Sequence, residues 1–181
     1  VIHSRARVVL ADRLPPAPAY AIPEELQQLS YHRPVEEVYE RILFHGSHLH
    51  GLQEIAGCGP HGILATARPA PPPREWMADP PRSRWIGDPL ALDVAFQMAS
   101  LWCYEQTGRV SLPSGWSSYC QYRSRFPQAP IGIVLEVRST SRYKMVGDFT
   151  FLDAAGQVIA RMEGFEAVMD DALRRAFKPH G

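Results

Sequence analysis

The 181 residues carry no charge of one sign in excess: lysine plus arginine equals aspartate plus glutamate, 19 of each. A balanced chain offers nothing that would hold nucleic acid or an anionic membrane surface. Long apolar runs are also missing, and none approaches the roughly 20 residues of a membrane helix. Cysteine is scarce: Cys58, Cys103 and Cys120 are odd in number, far apart and set among apolar neighbours. They read as free thiols of a reducing, cytoplasmic setting rather than as a disulfide framework. There is no Cys-x-x-Cys, no His-Glu-x-x-His and no Gly-x-Ser-x-Gly, which removes the common zinc and serine-hydrolase signatures. The N-terminus has no signal-peptide architecture and no starting methionine, and it opens within strand-like sequence, which suggests a piece of a longer polypeptide.

Proline and hydrophobic residues are plentiful. The composition is 45% hydrophobic and 21% charged, as in a soluble globular domain with a core of its own. Residues 2–12, "IHSRARVVLAD", read as a strand. The following stretch "RLPPAPAYAIPEE" holds Pro15, Pro16, Pro18 and Pro23, which excludes helix or central strand and reads as a linker. A helix is expected over 34–43, with Val35, Val38 and Ile42 at helical spacing. Residues 49–69 read as a hairpin turning at Gly-Cys-Gly-Pro, and 70–85 as an exposed proline loop, basic near its end. Four strand-like segments, "GWSSYCQYRSRF", "IGIVLEVRST", "YKMVGDFTFLD" and "QVIARMEGFEAV", close the chain, and their tight spacing predicts an antiparallel meander.

Between loop and strands lies "DPLALDVAFQMASLWCYEQTG", residues 88–108. Asp88 before Pro89 is a strong helix start, an N-cap oxygen followed by a residue whose missing N–H costs nothing there. Leu90, Leu92, Val94, Phe96, Met98, Leu101 and Trp102 cover most of the circumference, so the helix must be enclosed. One antiparallel sheet curved around one apolar helix is an α+β hotdog fold. Asp93 and Gln97 stand four residues apart and share a narrow polar stripe. In a cleft, partial desolvation would favour the proton-donating form of Asp93, and Gln97 would hold it without adding charge.

Three segments carry a resemblance, in one order along the chain. "LDVAFQ" resembles the Asp-x-x-x-Gln helix of the second hotdog in dehydratase domains of polyketide and polyunsaturated fatty acid synthases. "LFHGSHLHGLQEI" is similar to the segment opening that hotdog, commonly Tyr-Gly-Pro-x-Phe-x-Gly. His45 stands in place of the tyrosine, Ser47 of the proline and Leu49 of the phenylalanine, while Gly46 and Gly51 match. "LPSGW" resembles Leu-Pro-x-Ser-Trp, and "FTFLDAAGQVIARMEGF" the final hairpin. The likeness spans about residues 36–168.

The resemblance implies removal of water from a β-hydroxyacyl thioester carried on the phosphopantetheine arm of an acyl carrier protein, with no bound cofactor and no metal. Asp93 would be the acid and Gln97 its support, with His45, Gly46, Leu49, Pro113 and Trp116 beside the substrate. The family's base lies in a His-x-x-x-Gly-x-x-x-x-Pro motif, and none of the seven histidines here has glycine four residues on. The chain then reads as the C-terminal half of a double hotdog. Residues 1–12 would be the last strand of the preceding half, 13–33 the linker and 34–181 the second hotdog, inactive alone. Its partners would be the N-terminal half and the carrier protein, and a hotdog can also pair with its own copy as a homodimer. Two other readings stand beside it: a non-catalytic acyl-binding or scaffold domain, and a small metalloenzyme using His45, His48, His50, Cys58 and His61. Arg74, Arg82 and Arg84, with Arg123 and Arg125, would meet the arm's phosphate or an acidic carrier surface, or simply solvate loops.

Overall fold

The computed structural model describes residues 5–9 and 11–173. The order is α1 (Glu24–Gln27), α2 (Val35–Arg41), a 3-10 turn (Ser47–Leu49), β1 (Leu52–Gly59), β2 (Gly62–Ala67), α3 (Pro73–Trp76), α4 (Pro89–Thr107), β3 (Ser111–Gly115), β4 (Ser118–Gln121), β5 (Ile131–Thr140), β6 (Lys144–Leu152) and β7 (Val158–Met169). The strands form one antiparallel sheet in the order β1-β2-β5-β6-β7-β3, with β4 also on β7. α4 packs against β1, β2, β3, β5 and β7, so the sheet encloses it as a hotdog fold requires.

α4 begins as its sequence dictates. The Asp88 carboxylate accepts from Ala91 N–H at 2.8 Å and, with its other oxygen, from Ala70 N–H at 2.8 Å, which caps the helix and pins the end of β2's exit to it. Eleven of its 19 residues are buried. Met98, Leu101 and Trp102 meet Ile133, Leu135, Phe149, Phe151 and Phe165 of the sheet in one continuous core. The Trp102 indole N–H donates to Gly59 C=O at 2.8 Å, tying the helix to the far end of β1.

Several expectations need correction. β4 does not precede β5 in a meander: it pairs with β7 (Ser118↔Glu163 to Gln121↔Ala160), and only β5, β6 and β7 are sequential neighbours. A strand over "SLPSG" was not expected. Pro113 lies in it, and its missing N–H is tolerated because β3 is the outermost strand of the sheet. The hairpin turns at Pro60-His61, two residues later than a turn centred on Gly-Cys-Gly-Pro would.

The proline-rich stretch does more than connect. Tyr20, Ile22, Leu26 and Leu29 dock on Val134, Leu152 and Val158, on the sheet face opposite α4, and Tyr20 O–H donates to Glu136 Oε2 at 2.9 Å. Among the described residues, 5–9 pair with no strand of this chain, and Val8 and Val9 are 77% and 78% exposed. The remainder of the strand expected over 2–12 lies partly outside the described residues. All three cysteines are free, and burial pushes the Cys103 thiol up to about 11. Among the described residues no helix is long and apolar enough to cross a membrane.

Candidate active site

The polar stripe of α4 opens towards the segment between α2 and β1. Gln97 is fully buried, and every polar atom of its amide is used. Tyr39 O–H donates to Gln97 Oε1 at 2.7 Å while its oxygen accepts Leu52 N–H at 2.9 Å. With the amide oxygen fixed in this way, Gln97 Nε2 faces two acceptors, Leu49 C=O at 2.8 Å and Asp93 Oδ2 at 2.7 Å. Burial raises the Tyr39 phenol above its ordinary value, so the hydroxyl stays a donor at neutral pH. A buried amide with all partners supplied is rigid, and what it rigidly presents is the Asp93 carboxylate.

Asp93 itself stays open, with 28% of its side chain exposed. Facing it at 3.8 Å is His45 Nε2, too far for a hydrogen bond but close enough for charge to matter. The imidazole is nine-tenths buried, stacked on Phe44 with ring centroids 4.5 Å apart, and its Nδ1 has no hydrogen-bond partner. Burial pushes the His45 pKa below its ordinary 6.5; Asp93 pulls upward against this and His50 adds to it. His50 is held by a ring stack on Tyr39 at 3.8 Å, and its Nε2 lies 2.9 Å from His45 C=O.

A glycine permits this packing. A Cβ on Gly51 would lie 2.5 Å from Val94 Cγ2 and 2.8 Å from Leu90 Cγ, so the chain can cross α4 this closely only without a side chain.

His45 makes stability depend on pH. An imidazole whose folded pKa is depressed binds fewer protons than in the unfolded chain, so stability present above about pH 6.5 is lost as pH falls through that value. Lowering the pH from about 7.5 to about 5.5 is therefore expected to reduce the melting temperature of the parent by a few degrees more than that of His45→Gln. Parallel curves in thermal melts would remove His45 as the cause.

The structure brings Asp93, Gln97, His45, Gly46 and Leu49 together. Leu49 takes part through its carbonyl, and Gly46 accepts Leu49 N–H at 2.8 Å, which closes the turn that aims that carbonyl. Pro113 is exposed on β3, and no hydrogen bond or ring contact joins it to this group. Trp116 is 50% exposed, and its ring lies 6.0 Å from that of Phe96 on α4. His48 and His50 lie in the 3-10 turn and its exit rather than on a strand, and among the described residues no three His, Cys, Asp or Glu side chains converge as metal ligands. Sequence reasoning missed Tyr39, whose only visible signal was a place in an amphipathic helix.

A family model described as "polyketide synthase dehydratase N-terminal domain" matches residues 17–173. The chain belongs to the polyketide synthase dehydratase family. A curated relative, a polyunsaturated fatty acid synthase subunit of Thraustochytrium sp., is 28% identical over 169 residues; the match covers 86% of this chain and 6% of that one. Among solved structures, the dehydratase domain from the CurF module of curacin polyketide synthase superposes with a TM-score of 0.62 at 24% identity, over 82% of this chain and 52% of that chain. A trans-AT polyketide synthase dehydratase domain from Brevibacillus brevis gives 0.67 at 21%, over 87% and 55%. This dehydratase-family chain thus spans about half the length of those solved domains and a small part of the Thraustochytrium synthase.

Proposed function

We propose that the chain is the Asp-containing, C-terminal half of a dehydratase acting on β-hydroxyacyl thioesters presented by an acyl carrier protein. The observation that carries this is the Asp93 carboxylate, fixed by a fully buried Gln97 yet open on one side. An α-proton beside a thioester is only weakly acidic, and hydroxide leaves poorly without a proton. A base takes the α-proton, its C–H electrons form the Cα–Cβ double bond, the Cβ–O bond breaks, and Asp93 delivers its proton to the departing oxygen. Water and an α,β-enoyl thioester result. Gln97 keeps the carboxyl aimed while it changes charge, and no cofactor enters. The base comes from the N-terminal half, which packs over the open side of Asp93; the roughly half-length match to solved dehydratase domains supports this arrangement.

The test is mass spectrometry of a β-hydroxyacyl pantetheine thioester incubated with the protein extended upstream. Loss of one water is expected. Retention of the hydroxyl despite tight acyl binding would replace catalysis with an acyl-binding or scaffold role.

A further inference from the structure

The open side of Asp93 is shared with a second polar group. His45 Nε2 stands 3.8 Å from Asp93 Oδ2, a gap too wide for one hydrogen bond but one in which a single oxygen atom can lie about 2.8 Å from both. Stacking on Phe44, with centroids 4.5 Å apart, holds the plane of the imidazole. Its proton is placed by its surroundings. Nε2 faces a carboxyl, whereas Nδ1 is buried and, among the described residues, has no hydrogen-bond partner. An enclosed N–H without an acceptor is the costlier orphan, so the neutral ring keeps its proton on Nε2 and presents a fixed donor beside the acid.

Burial also keeps the ring neutral at pH 7, with its pKa below the ordinary 6.5. Of the charged groups around it, Asp93 on α4 favours protonation and His50, at the exit of the 3-10 turn, opposes it. Tyr39 from α2 is engaged on Gln97 and Leu52, and Arg68, just beyond β2, donates to His50 C=O at 2.9 Å. The segment that His45 opens resembles one that commonly starts with tyrosine. A phenol offers a donor too, but takes up no proton as the pH falls; an imidazole does.

We infer that His45 is a second catalytic residue of this half: its Nε2–H and the Asp93 carboxyl together hold the departing β-oxygen, and a proton taken up by the ring ends that grip by making an ion pair of the two. The Cβ–O bond breaks, the Asp93 proton moves to the oxygen, and the His45 proton stays on nitrogen while its hydrogen bond tightens onto the charge that develops there. Once protonated, the imidazolium instead holds Asp93 as a carboxylate, which has no proton to give. This role rests on the function proposed above. Recognition of the hydroxyl is also measured without turnover, so the two readings fail separately.

The experiment follows water loss from β-hydroxybutyryl pantetheine thioester by the protein extended upstream, as the parent, His45→Leu and His45→Tyr. His45→Leu is expected to lower kcat about 10²-fold, the effect of removing one donor from a developing oxyanion, whereas His45→Tyr keeps most of the rate. On the acid side the parent should lose rate with two protons, one on the base of the N-terminal half and one on His45, and His45→Tyr with one. For binding alone, titration calorimetry compares the β-hydroxybutyryl amide of aminopantetheine, whose α-proton is too weakly acidic to leave, with its deoxy counterpart. The hydroxyl should tighten binding about threefold to tenfold in the parent and not in His45→Leu. Should no form release water while this preference holds, dehydration falls and the oxygen site stands. Should His45→Leu melt lower than the parent, His45→Phe, which keeps a ring on Phe44, supplies the same comparison. An unchanged rate and hydroxyl preference in a variant that melts like the parent, or an acid limb equally steep in parent and His45→Tyr, would overturn the inference.

Discussion

In the protein extended upstream, Asp93→Asn is expected to lower the rate of water loss from a β-hydroxyacyl thioester by about 10²–10⁴-fold, the usual contribution of a positioned acid. The melting temperature should stay close to that of the parent. Asparagine keeps the size of the side chain, and its carbonyl oxygen can accept the same 2.7 Å bond from Gln97 Nε2, so the buried amide loses no partner. What asparagine cannot do is give up a proton to a departing hydroxyl. A large loss of kcat with an unchanged melt therefore isolates chemistry from folding, and KM should move little because the carboxyl acts mainly as the bond breaks. Equal rates in variant and parent would remove Asp93 from the reaction.

Much of this arrangement was legible in the sequence because it follows from local rules. Asp88-Pro89 announces the start of α4, and the apolar periodicity announces that it is enclosed. An aspartate and a glutamine four residues apart on such a helix must share a face, and the structure joins them by a hydrogen bond. The sequential strands β5, β6 and β7 follow from alternation and short connections. The remainder depends on partners distant in the chain. β4 pairs with β7 across about forty residues, which no local pattern encodes. β3 was hidden by Pro113, a residue that argues against a strand unless its edge position is already known. Tyr39 lies 58 positions from Gln97, and nothing near it marks its hydroxyl as the group that orients the amide. Leu49 serves through a main-chain carbonyl, for which side-chain identity is a poor guide. Arg123 and Arg125 look equivalent as a pair, yet one is neutralised by Asp153 and the other lines a cleft beside the start of α4.

The largest effect on stability is expected at Trp102. Its side chain is 1% exposed at the centre of the core cluster, and Trp102→Ala should cost about 3–5 kcal/mol through lost burial and the cavity left behind. The same change strips Gly59 C=O of the indole donor at 2.8 Å, adding about 1–3 kcal/mol if no water reaches it. That sum is a large share of the stability of a domain this size, so a substantial unfolded fraction is expected at 37 °C. Trp102→Phe weights the two contributions differently, since it removes the N–H and the rest of the five-membered ring but keeps a six-membered ring in the core; a loss nearer about 1–3 kcal/mol is expected from urea unfolding. Function should follow the same division. Asp93 and Gln97 stand nine and five positions before Trp102 on α4, so a helix still seated by phenylalanine should present the carboxyl unchanged, and in the protein extended upstream the folded fraction of Trp102→Phe should turn over like the parent. If Trp102→Phe folds fully but loses activity, the hydrogen bond to Gly59 sets the position of α4 along the sheet, and with it the aim of Asp93.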